Sequence, residues 1–484
     1  MQEAILILDH DAGLASLIAR TLRNQQIYCL PVPFGVSLAN AREKNARGLI
    51  IAAGDDAVVD LSGFDQELLT AGLPMLALGG ATRALCEHFG GTLSEGQNQD
   101  QPETLGLSPL PLFEGMTGGE RVYHNLRVLQ LPDALACIQT ATERCIGFTP
   151  EGSALYAVQY PIERNDPDAL QLLNNFARLV CGMQTTWTQD AIIQGAVQAI
   201  ADAAGEGRVL CAVSGGVDSA VCAKLAHRAV GERLMCVFVD TGLLRQDEPE
   251  YVIQTYREAL GLDVTLIDAR DVFLKSLRGV RAAGDKERIV SSLLGQVLYK
   301  RLRYELDARV LALGTNFNDT LYGGHAPDAL PATEELDLRV VEPLRGLFKD
   351  EVRRLARALA LPATMAERQP FPSSGLALRV YGEVTQARLT TLRQADAFFG
   401  EEVRAGGHDR RLWQYYAALS DNPDERGGYA IILRASQACS GEACASRLPF
   451  DLLERVTQRI LGELKDVARV VYDLTPSQRY AFME

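Results

Sequence analysis

A short segment in the middle of the chain brings together groups that suit phosphate chemistry. Its six residues supply two glycines, two hydroxyls and one carboxylate, in the order Ser214, Gly215, Gly216, Val217, Asp218, Ser219. Paired glycines let a phosphate approach the backbone, and the N–H groups and hydroxyls that follow can donate to it. A carboxylate in an anion site is repulsive unless it holds a cation, so Asp218 predicts Mg²⁺ arriving with the phosphates of ATP.

The flanking sequence places this segment between a strand and a helix. Val209–Val213 is an apolar run typical of a buried strand, and Ala220–Val230 is predicted to be a helix. The N-terminus of such a helix carries a partial positive charge that favours an anion. The segment matches neither the Walker pattern nor the dinucleotide fingerprint. The alternative is an ordinary Gly-Gly turn with a serine as helix cap.

Strands and helices alternate along most of the chain, a pattern that predicts parallel sheets covered by helices. In the N-terminal part the predicted strands are Ala4–Leu8, Gly48–Ala53, Leu73–Leu78 and Ala154–Tyr160. A polar stretch at 182–190 is a plausible linker. The strands predicted around the glycine-rich segment are Val209–Val213, Leu234–Val239, Val264–Ile267 and Arg309–Leu313.

The alternating rhythm changes near residues 370–375. Beyond that point the predicted elements are a strand, helix, strand, helix and strand, at Leu376–Val380, Thr385–Ala405, Tyr429–Arg434, Leu448–Leu464 and Arg469–Asp473. This order indicates a smaller α+β domain. Three domains also agree with the length of 484 residues.

Composition narrows the classes of partner. The net charge of −14 argues against a broad nucleic-acid surface, because phosphate backbones bind clustered Lys and Arg. No stretch approaches the length needed to span a membrane. The first residues lack the basic region of a signal peptide, so we expect a cytoplasmic protein.

The ten cysteines are scattered, and this pattern does not indicate a disulfide framework. Cys211, Cys222 and Cys236 lie in apolar runs and are predicted to be small core residues. Cys439 and Cys444 form the only close pair, with a spacing that fits no standard zinc site. A metal or redox role for this pair is the alternative to loop or core positions, which we favour.

Longer segments resemble the GMP synthase family, whose members are N-type ATP pyrophosphatases with the Ser-Gly-Gly-Val-Asp-Ser signature. The similar segments run in family order through essentially the whole chain: Cys236–Arg245, Ile267–Leu274, Leu311–Thr315, Val341–Arg353, Arg368–Pro372, Arg379–Val384, Arg447–Arg455 and Arg469–Asp473. The resemblance implies an enzyme that adenylates a carbonyl or amide oxygen with ATP and releases pyrophosphate.

The resemblance also implies the architecture, which is α/β with two doubly wound parallel-sheet domains and a C-terminal α+β domain. A class I glutamine amidotransferase-like domain is expected over 1–184, and an ATP pyrophosphatase domain over 185–372. A dimerisation domain is expected over 373–484, so the family implies a homodimer.

The family further implies which residues bind ATP and magnesium. Residues Ser214 to Ser219 are expected around the β- and γ-phosphates, with Asp218 as the Mg²⁺ ligand. The strand-end residues Val239, Asp240, Gly314 and Thr315 are expected beside adenine. Lys349 is the natural extra phosphate cation, so Asp218 and Lys349 are the implied catalytic residues. The alternative for Lys349 is a solvated lysine at a helix start.

The first domain departs from its family where glutamine would be hydrolysed. Gly79 stands where the family presents a cysteine nucleophile, and Pro161 replaces the general-base histidine, so only Glu163 survives. Hydrolysis needs a thiolate and an imidazole, which glycine and proline cannot supply. Cys86 lies farther along the following helix and is predicted to be a core residue. We therefore expect no glutaminase activity, and a scaffolding, regulatory or docking role for this domain.

Segments expected to hold the family's acceptor, XMP, also differ from the family pattern. They are Ser373–Gly375, the short loop Ser420–Gly428, the C-terminal Ser477–Glu484, His325, and Ser291. The motifs on the ATP side match, so the differences favour an active adenylating enzyme with an altered acceptor, nucleophile or both. The competing interpretation is drift in a duplicate that still makes GMP from free ammonia.

Two classes of function follow. The first is an enzyme whose acceptor is a purine nucleotide or related heterocycle, and whose nucleophile is ammonia, an amine from a separate donor protein, or a sulfur donor. A thiolating paralogue is one form of it. The second is a catalytically silent ATP-binding scaffold. Retention of Asp218, Asp240 and Lys349 argues against the second, because a silent protein has no need of them.

Overall fold

The structure is a computed structural model, and it describes residues 2–94, 101–123, 125–305, 308–321, 339–366, 368–369, 371–421, 427–439 and 442–475. The chain divides into two compact units, Met1–Ala191 and Ile192–Glu484. The second unit holds most of the predicted ATP pyrophosphatase domain and all of the predicted dimerisation domain. The three-domain division with boundaries at 184 and 372 therefore stays a prediction.

The first unit is built on a mixed sheet with helices beside it. Its strands are β1 (Ala4–Asp9), β2 (Cys29–Pro33), β3 (Ala46–Ala52), β4 (Met75–Leu78), β5 (Thr92–Leu93), β6 (Gln101–Thr104), β7 (Glu120–Tyr123), β8 (Leu129–Gln130), β9 (Leu135–Gln139), β10 (Cys145–Pro150) and β11 (Leu155–Val158). Seven of them form one sheet in the order β2-β1-β3-β4-β11-β10-β9. Within this sheet β2, β1, β3, β4 and β11 pair in parallel. Strands β10 and β9 continue the sheet in antiparallel pairing, which the sequence pattern did not predict.

The helices of the first unit are α1 (Ala12–Asn24), α2 (Leu38–Glu43), α3 (Glu67–Thr70), α4 (Gly80–His88) and α5 (Pro167–Asn175). Helix α1 shows how local sequence starts such an element. The Asp11 carboxylate accepts hydrogen bonds from the backbone N–H groups of Gly13 and Leu14, at 3.0 and 3.1 Å. These bonds satisfy donors that have no partner inside the helix. Ile18 and Leu22, one turn apart, are buried against the sheet side.

The second unit contains a fully parallel sheet. Its strands are β12 (Arg208–Ala212), β13 (Leu234–Asp240), β14 (Val264–Asp268), β15 (Ala308–Ala312) and β16 (Arg339–Val341), in the order β14-β13-β12-β15-β16. The associated helices are α6 (Gln189–Ala204), α7 (Val217–Val230), α8 (Glu248–Thr255), α9 (Arg270–Ser276), α10 (Ala283–Glu305), α11 (Phe317–Leu321), α12 (Lys349–Ala358) and α13 (Ala363–Ala366). In a doubly wound sheet of this kind ligands bind beyond the carboxyl ends of the strands.

A third sheet lies in the C-terminal part of the same unit. Its strands are β17 (Gln414–Leu419), β18 (Tyr429–Cys439), β19 (Glu442–Ala445) and β20 (Val467–Tyr472), with helices α14 (Gln386–Ala405) and α15 (Phe450–Glu463). One apolar core joins this sheet to the parallel sheet, from Leu210 and Val237 to Ile431 and Val456. The predicted fold class is confirmed. Across the described residues, no helix has the length and apolarity to cross a bilayer.

The predicted strand at Leu376–Val380 is wrong. Residues Gly375–Leu378 form a 3₁₀ turn, and only Val380 makes a bridge, to Leu419. Gly375 adopts φ +59°, and a Cβ there would lie 2.4 Å from the Leu243 carbonyl oxygen. Because the Leu376 N–H donates to that same carbonyl at 2.7 Å, this segment packs on the loop after β13 instead of joining a sheet.

The bonding of some cysteines differs from the prediction. Cys137 on β9 and Cys145 on β10 form a disulfide across the two paired strands, although the sequence pattern did not indicate one. Cys444 is also disulfide-bonded, so it is not a free loop thiol, and the side chain of Cys439 lies outside the described part. The predicted core cysteines, represented by Cys211, Cys222 and Cys236, are free and buried.

Candidate active site

The loop between β12 and α7 has the backbone that a phosphate site requires. Helix α7 begins at Val217 with Gly216 as its N-cap, three residues earlier than the predicted start at Ala220. This early start places Asp218 in the first turn, where N–H groups have no partner inside the helix. Gly215 has φ +78°, and a Cβ there would lie 2.5 Å from a methyl group of Val252. Glycine is therefore required at 215 for both conformation and space.

The two serines of the loop hold it in shape. The Ser219 hydroxyl accepts a hydrogen bond from the Ser214 N–H at 3.1 Å and donates to the Gly216 carbonyl at 3.0 Å. It also lies 3.4 Å from the buried Tyr256 hydroxyl. Ser219 thus ties both ends of the loop together, and Ser214, Gly216 and Ser219 all line the neighbouring cavity.

Asp218 and Lys349 meet beside the loop, although 131 residues separate them. Lys349 is the first residue of α12, and its Nζ lies 2.5 Å from Asp218 Oδ2. The other carboxylate oxygen, Asp218 Oδ1, is buried with no hydrogen-bond partner among the described residues. A buried carboxylate oxygen without a donor is costly, and Mg²⁺ prefers such oxygen ligands. The site therefore fits the predicted Mg²⁺, and Lys349 is not a merely solvated lysine.

A third side chain at this place, Asp319, has no counterpart in the sequence predictions. Its carboxylate accepts a hydrogen bond from the Asn316 N–H at 2.8 Å and lines the same cavity as Asp218. Burial raises the pKa of Asp319, and the negative charge of Asp218 adds to that rise. Its position in Gly-Thr-Asn-Phe-Asn-Asp, just after a strand end, is the only signal that the sequence offers.

Glu342 is a further acidic group near Asp319. It directly follows β16, its side chain is 10% exposed, and it forms an ion pair with Arg345. Its second oxygen, Oε1, has no hydrogen-bond partner in the described part of the chain. Its charge contributes to the raised pKa of Asp319. The charges of Asp218 and Glu342 therefore both act on Asp319, but among the described residues no group of three or more acidic, His or Cys side chains is arranged to hold a metal ion.

The predicted adenine-side residues divide into two groups. Val239, Gly314 and Thr315 line the cavity beside the loop. A Cβ on Gly314 would lie 2.8 Å from both the Asp218 carbonyl carbon and the Ser219 N–H nitrogen, so the end of β15 packs directly on α7. Asp240 instead accepts a hydrogen bond from the Gly242 N–H at 2.8 Å and lines a different cavity.

Arg368 holds the loop through its backbone and through a neighbouring carboxylate. One guanidinium nitrogen donates to the Gly215 carbonyl at 3.0 Å, and another pairs with the buried carboxylate of Glu248. Its guanidinium also lies 5.2 Å from the ring of Tyr251. Because both partners come from segments more than 100 residues away, sequence patterns could not reveal this support.

One cavity of about 600 Å³ joins the loop to the C-terminal sheet of the same unit. Of the predicted site residues it is lined by Ser214, Gly216, Val217, Asp218, Ser219, Val239, Gly314, Thr315 and Lys349, but not by Gly215 or Asp240. Its remaining wall includes basic, aromatic and amide side chains from β17, β18 and the segment before α14, among them Gln369, Phe371, Arg379, Gln414, Tyr416 and Arg434.

Lys286 on α10 is a buried cation in this wall. It is 1% exposed, and its Nζ donates to the carbonyls of Ala377 and Val380 at 3.1 and 2.6 Å. The pKa of Lys286 is lowered to about 8, chiefly by burial and also by the positive charge of Arg388, whereas Asp421 opposes the shift. The folded protein therefore holds this proton less tightly than the unfolded chain.

This shift predicts a pH-dependent stability. The free energy of unfolding should rise as pH increases from about 8 towards 10.5, by up to ~1.4 kcal/mol per pH unit from this group. Urea unfolding of the parent protein and of Lys286→Met across that range measures the difference. Lys275→Met, at an exposed lysine on α9, should keep the parent slope. Equal slopes for the parent and Lys286→Met would contradict the assignment.

In the first unit, Gly79 sits at a sharp turn between β4 and α4. It has φ +53° and ψ −121°, which is unfavourable for a residue with a Cβ. A Cβ there would lie 2.4 Å from the Ala53 carbonyl oxygen and 3.0 Å from the Gly54 carbonyl oxygen. Backbone atoms cannot move aside as a flexible side chain can, so a cysteine does not fit at 79 in this conformation.

Arg83, one turn along α4, fills the space beside that turn. It is 9% exposed, and one guanidinium nitrogen donates to the carbonyls of Asp55 and Ala57 at 2.5 and 3.0 Å. The other lies 3.5 Å from the Gln159 side-chain oxygen. Arg83 was not among the residues predicted from the sequence. The sequence could have indicated Arg83, because it is a charged residue on the side of a predicted helix that is expected to be buried.

The remaining predicted positions are placed as follows. Pro161 is buried beyond the end of β11, and Glu163 is exposed. Cys86 is buried in α4, as predicted. Of the segments predicted to have changed around the acceptor, His325, Ser477–Glu484 and residues 422–426 lie outside the described residues.

Comparison with known proteins agrees with this geometry. Residues 401–480 match the family model described as GMP synthase C terminal domain, and residues 190–390 match the one described as NAD synthase. The GMP synthase [glutamine-hydrolyzing] of Carboxydothermus hydrogenoformans is 34% identical over 98% of both chains. That of Bacillus cytotoxicus is 33% identical over 98% of this chain and 97% of its own.

Among solved structures, NMN synthetase from Francisella tularensis aligns with 42% of this chain and 84% of its own. The identity is 18% and the TM-score 0.33, which is too low to support an argument. The full-length relatives carry the conclusion, because their similarity extends over both compact units. This chain belongs to the GMP synthase family.

Proposed function

We propose that this protein is an ATP pyrophosphatase of GMP synthase type that activates a carbonyl oxygen as its adenylate. The acceptor is a nucleotide or related heterocycle, XMP or an analogue, and AMP is then displaced by ammonia or another nucleophile. The observation that carries the proposal is the contact between Asp218, in the first turn of α7, and Lys349, the first residue of α12. The partnerless Asp218 Oδ1 and the glycine-rich loop beside it complete a site for magnesium-bound phosphates.

In this proposal the loop binds and orients the triphosphate. Free N–H groups in the first turn of α7 donate to phosphate oxygens, and Lys349 adds a compact positive charge. Asp218 Oδ1 would hold Mg²⁺, with Asp319 and Glu342 as nearby carboxylates. When bound, Mg²⁺ would supply positive charge that offsets the negative charge growing on the leaving pyrophosphate.

The reaction has two balanced steps. First the acceptor carbonyl oxygen attacks the α-phosphorus, the bond from that phosphorus to the bridging oxygen breaks, and pyrophosphate leaves. Then the nucleophile attacks the carbonyl carbon, the bond from carbon to the adenylate oxygen breaks, and AMP leaves with that oxygen. The chain contributes mainly positioning and charge stabilisation around the reacting groups.

We propose further that glutamine is not the nitrogen source. Gly79 lacks a thiol, its backbone leaves no room for a Cβ, and Pro161 cannot act as a base. Arg83 fills the space beside the turn with hydrogen bonds to the backbone. The nucleophile then comes as free ammonia or from a separate donor protein.

A thiolating paralogue shares the adenylation step and differs only in its nucleophile. Among the described side chains the free cysteines nearest the loop in sequence are buried, and burial contributes to raised pKa values of the Cys211 and Cys236 thiols. Cys444 is already disulfide-bonded. Ammonia is therefore the preferred nucleophile. The silent ATP-binding scaffold is disfavoured by the intact Asp218–Lys349 contact.

The expected localisation, oligomeric state and partners of the enzyme are inferred from its family and its composition. We propose a cytoplasmic homodimer that acts on a small-molecule acceptor, without nucleic-acid or membrane partners. The net charge of −14 supports the exclusion of a nucleic-acid partner. Equilibrium sedimentation of the full chain tests the dimer.

Pyrophosphate release measured with Mg·ATP tests the proposed function. XMP and other nucleotides with a ring carbonyl serve as acceptors, with ammonium, sulfide or glutamine supplied separately. We expect at least one acceptor to stimulate release, with ammonium active and glutamine inactive. Tight ATP binding without release for any acceptor would instead favour the silent scaffold.

A further inference from the structure

A disulfide closes the edge of the mixed sheet in the first unit. It joins Cys137 on β9 to Cys145 on β10, and β9 is the last strand of that sheet. The two cysteines do not face each other directly across the strands, because Cys137 pairs with Phe148 and Cys145 pairs with Gln139. Ile146 is the extra residue between these pairs, so the disulfide spans a β-bulge.

The paired cysteines are more accessible than other cysteines of the same unit. Cys137 and Cys145 are both partly exposed. Cys86 is buried, and burial raises the pKa of its thiol. Burial also raises the pKa of the Cys181 thiol, to about 12. Because thiol–disulfide exchange requires a thiolate to reach one of the two sulfurs, the exposed pair is the best suited of these four cysteines to react with an outside thiol.

Both redox states of the pair are compatible with the folded sheet. The disulfide links residues only 8 positions apart, on two strands that backbone hydrogen bonds already hold together. In the reduced protein the Cys145 thiol has an acceptor, because its sulfur lies 3.3 Å from the Gly147 carbonyl oxygen. In a reducing compartment, which we propose for this chain, a disulfide that forms is usually transient and acts in catalysis or redox sensing.

The bulge connects the disulfide to the turn at Gly79. The Ile146 carbonyl accepts two hydrogen bonds from Gln159, from its backbone N–H at 3.1 Å and from its side-chain Nε2 at 3.2 Å. Gln159 is 3% exposed, and its Oε1 accepts a hydrogen bond from the Arg127 N–H at 3.2 Å and lies 3.5 Å from Arg83 Nη1. Arg83 is the side chain that fills the space beside Gly79. A change at the bulge therefore reaches this turn through one buried side chain.

We propose that Cys137 and Cys145 form a reversible thiol–disulfide site, through which the first unit responds to the redox state of its surroundings. The disulfide holds the bulge at Ile146 and keeps Gln159 in place. Reduction releases the bulge and loosens the hydrogen bonds that lead from Gln159 to Arg83. This inference takes the reducing compartment from the proposed localisation and is otherwise independent of the reaction at the glycine-rich loop.

The exchange is balanced by a dithiol in one direction and by a small disulfide in the other. In reduction, one thiolate of the dithiol attacks a cysteine sulfur, the bond between the two cysteine sulfurs breaks, and a mixed disulfide forms. The second thiolate of the dithiol then displaces that cysteine, so two electrons and two protons pass to the protein and the dithiol becomes a disulfide. In oxidation, one cysteine thiolate displaces a thiol from the small disulfide, and the other cysteine thiolate displaces the second thiol.

Thiol counting and hydrogen exchange on the full chain test the site. The folded protein is treated with dithiothreitol or with oxidised glutathione, and its thiols are located by alkylation and mass spectrometry. We expect dithiothreitol to expose thiols at Cys137 and Cys145, and oxidised glutathione to remove them. Exchange of the Gln159 amide should be about tenfold faster or more in the reduced protein, because a cross-link beside its acceptor is lost. The Ile5 amide, on β1 of the same sheet, should keep its rate.

Two variants separate the effect of this disulfide from other effects of the reagents. Cys137→Ser with Cys145→Ser cannot form the cross-link, so its Gln159 amide should exchange as fast as in the reduced parent under either treatment. Cys444→Ser removes a disulfide of the second unit and should keep the redox response of the parent at Gln159.

Three results would each overturn the inference. The first is a disulfide that dithiothreitol does not open while the protein stays folded, since it would then be a structural cross-link only. The second is reduction with unchanged exchange of the Gln159 amide, since the bulge would then transmit nothing to the Gly79 turn. The third is a reduced pair that oxidised glutathione does not close again. Release of pyrophosphate enters none of these measurements, so the proposed function stands or fails separately.

Discussion

Asp218→Asn should lower acceptor-stimulated pyrophosphate release by roughly 10²–10³-fold, the loss typical of removing one charge-stabilising group from a transition state. Asparagine keeps the shape of the side chain but loses the negative charge that holds Mg²⁺. The Lys349 ammonium, 2.5 Å away, would also lose its counter-charge. Initial rates at saturating Mg·ATP and acceptor measure the effect on kcat.

The same variant separates an enzyme from a scaffold. Binding of ATP should persist, because the loop N–H groups and Lys349 remain, so the change is expected in kcat more than in ATP affinity. Asp451→Asn removes a carboxylate from an exposed pair on α15 and should leave the rate unchanged. Asp218→Asn with Lys349→Met should cost little more than the larger single effect, since residues in contact do not act independently. An unchanged rate in folded Asp218→Asn would refute the assigned role.

Restoring the missing glutaminase side chains should fail and should destabilise the first unit. Gly79→Cys with Pro161→His returns the thiol and the imidazole, but the Cβ at 79 would lie 2.4 Å from the Ala53 carbonyl oxygen. A positive φ combined with a backbone clash is expected to lower the free energy of unfolding by about 3 kcal/mol. Thermal unfolding and ammonia release from glutamine are the two measurements.

A second glycine with positive φ separates the effect of the Cβ clash at Gly79 from the effect of backbone strain. Gly152 also has positive φ, +71°, but nothing lies within 4 Å of the position that a Cβ would take there, so Gly152→Ala should cost only about 1 kcal/mol. Gly79→Ala should cost clearly more. Glutamine-dependent ammonia release by the double variant would show that Arg83 and the turn leave room for the substrate after all.

Structural elements that depend on neighbouring residues could be predicted from the sequence. A strand before Ser214 and a helix after the paired glycines are predicted from glycine spacing and apolar runs, which act within a few residues, although the helix begins at Val217 and not at the predicted Ala220. The α/β class and the buried cysteines around the loop were predicted for the same reason. The structure of the Leu376–Val380 segment was not predicted correctly, because its apolar run packs on the distant loop at Leu243 instead of forming a strand.

The glycine-rich loop itself shows what the sequence leaves undetermined. Residue types alone indicated a phosphate loop with a carboxylate for Mg²⁺, and family resemblance added Lys349. Only the tertiary structure brings Lys349 to Asp218 across 131 residues, adds Asp319, and supports the loop through Arg368. Sequence spacing cannot decide these contacts, because burial and distance, which arise only on folding, determine which charged groups meet and what each charge costs.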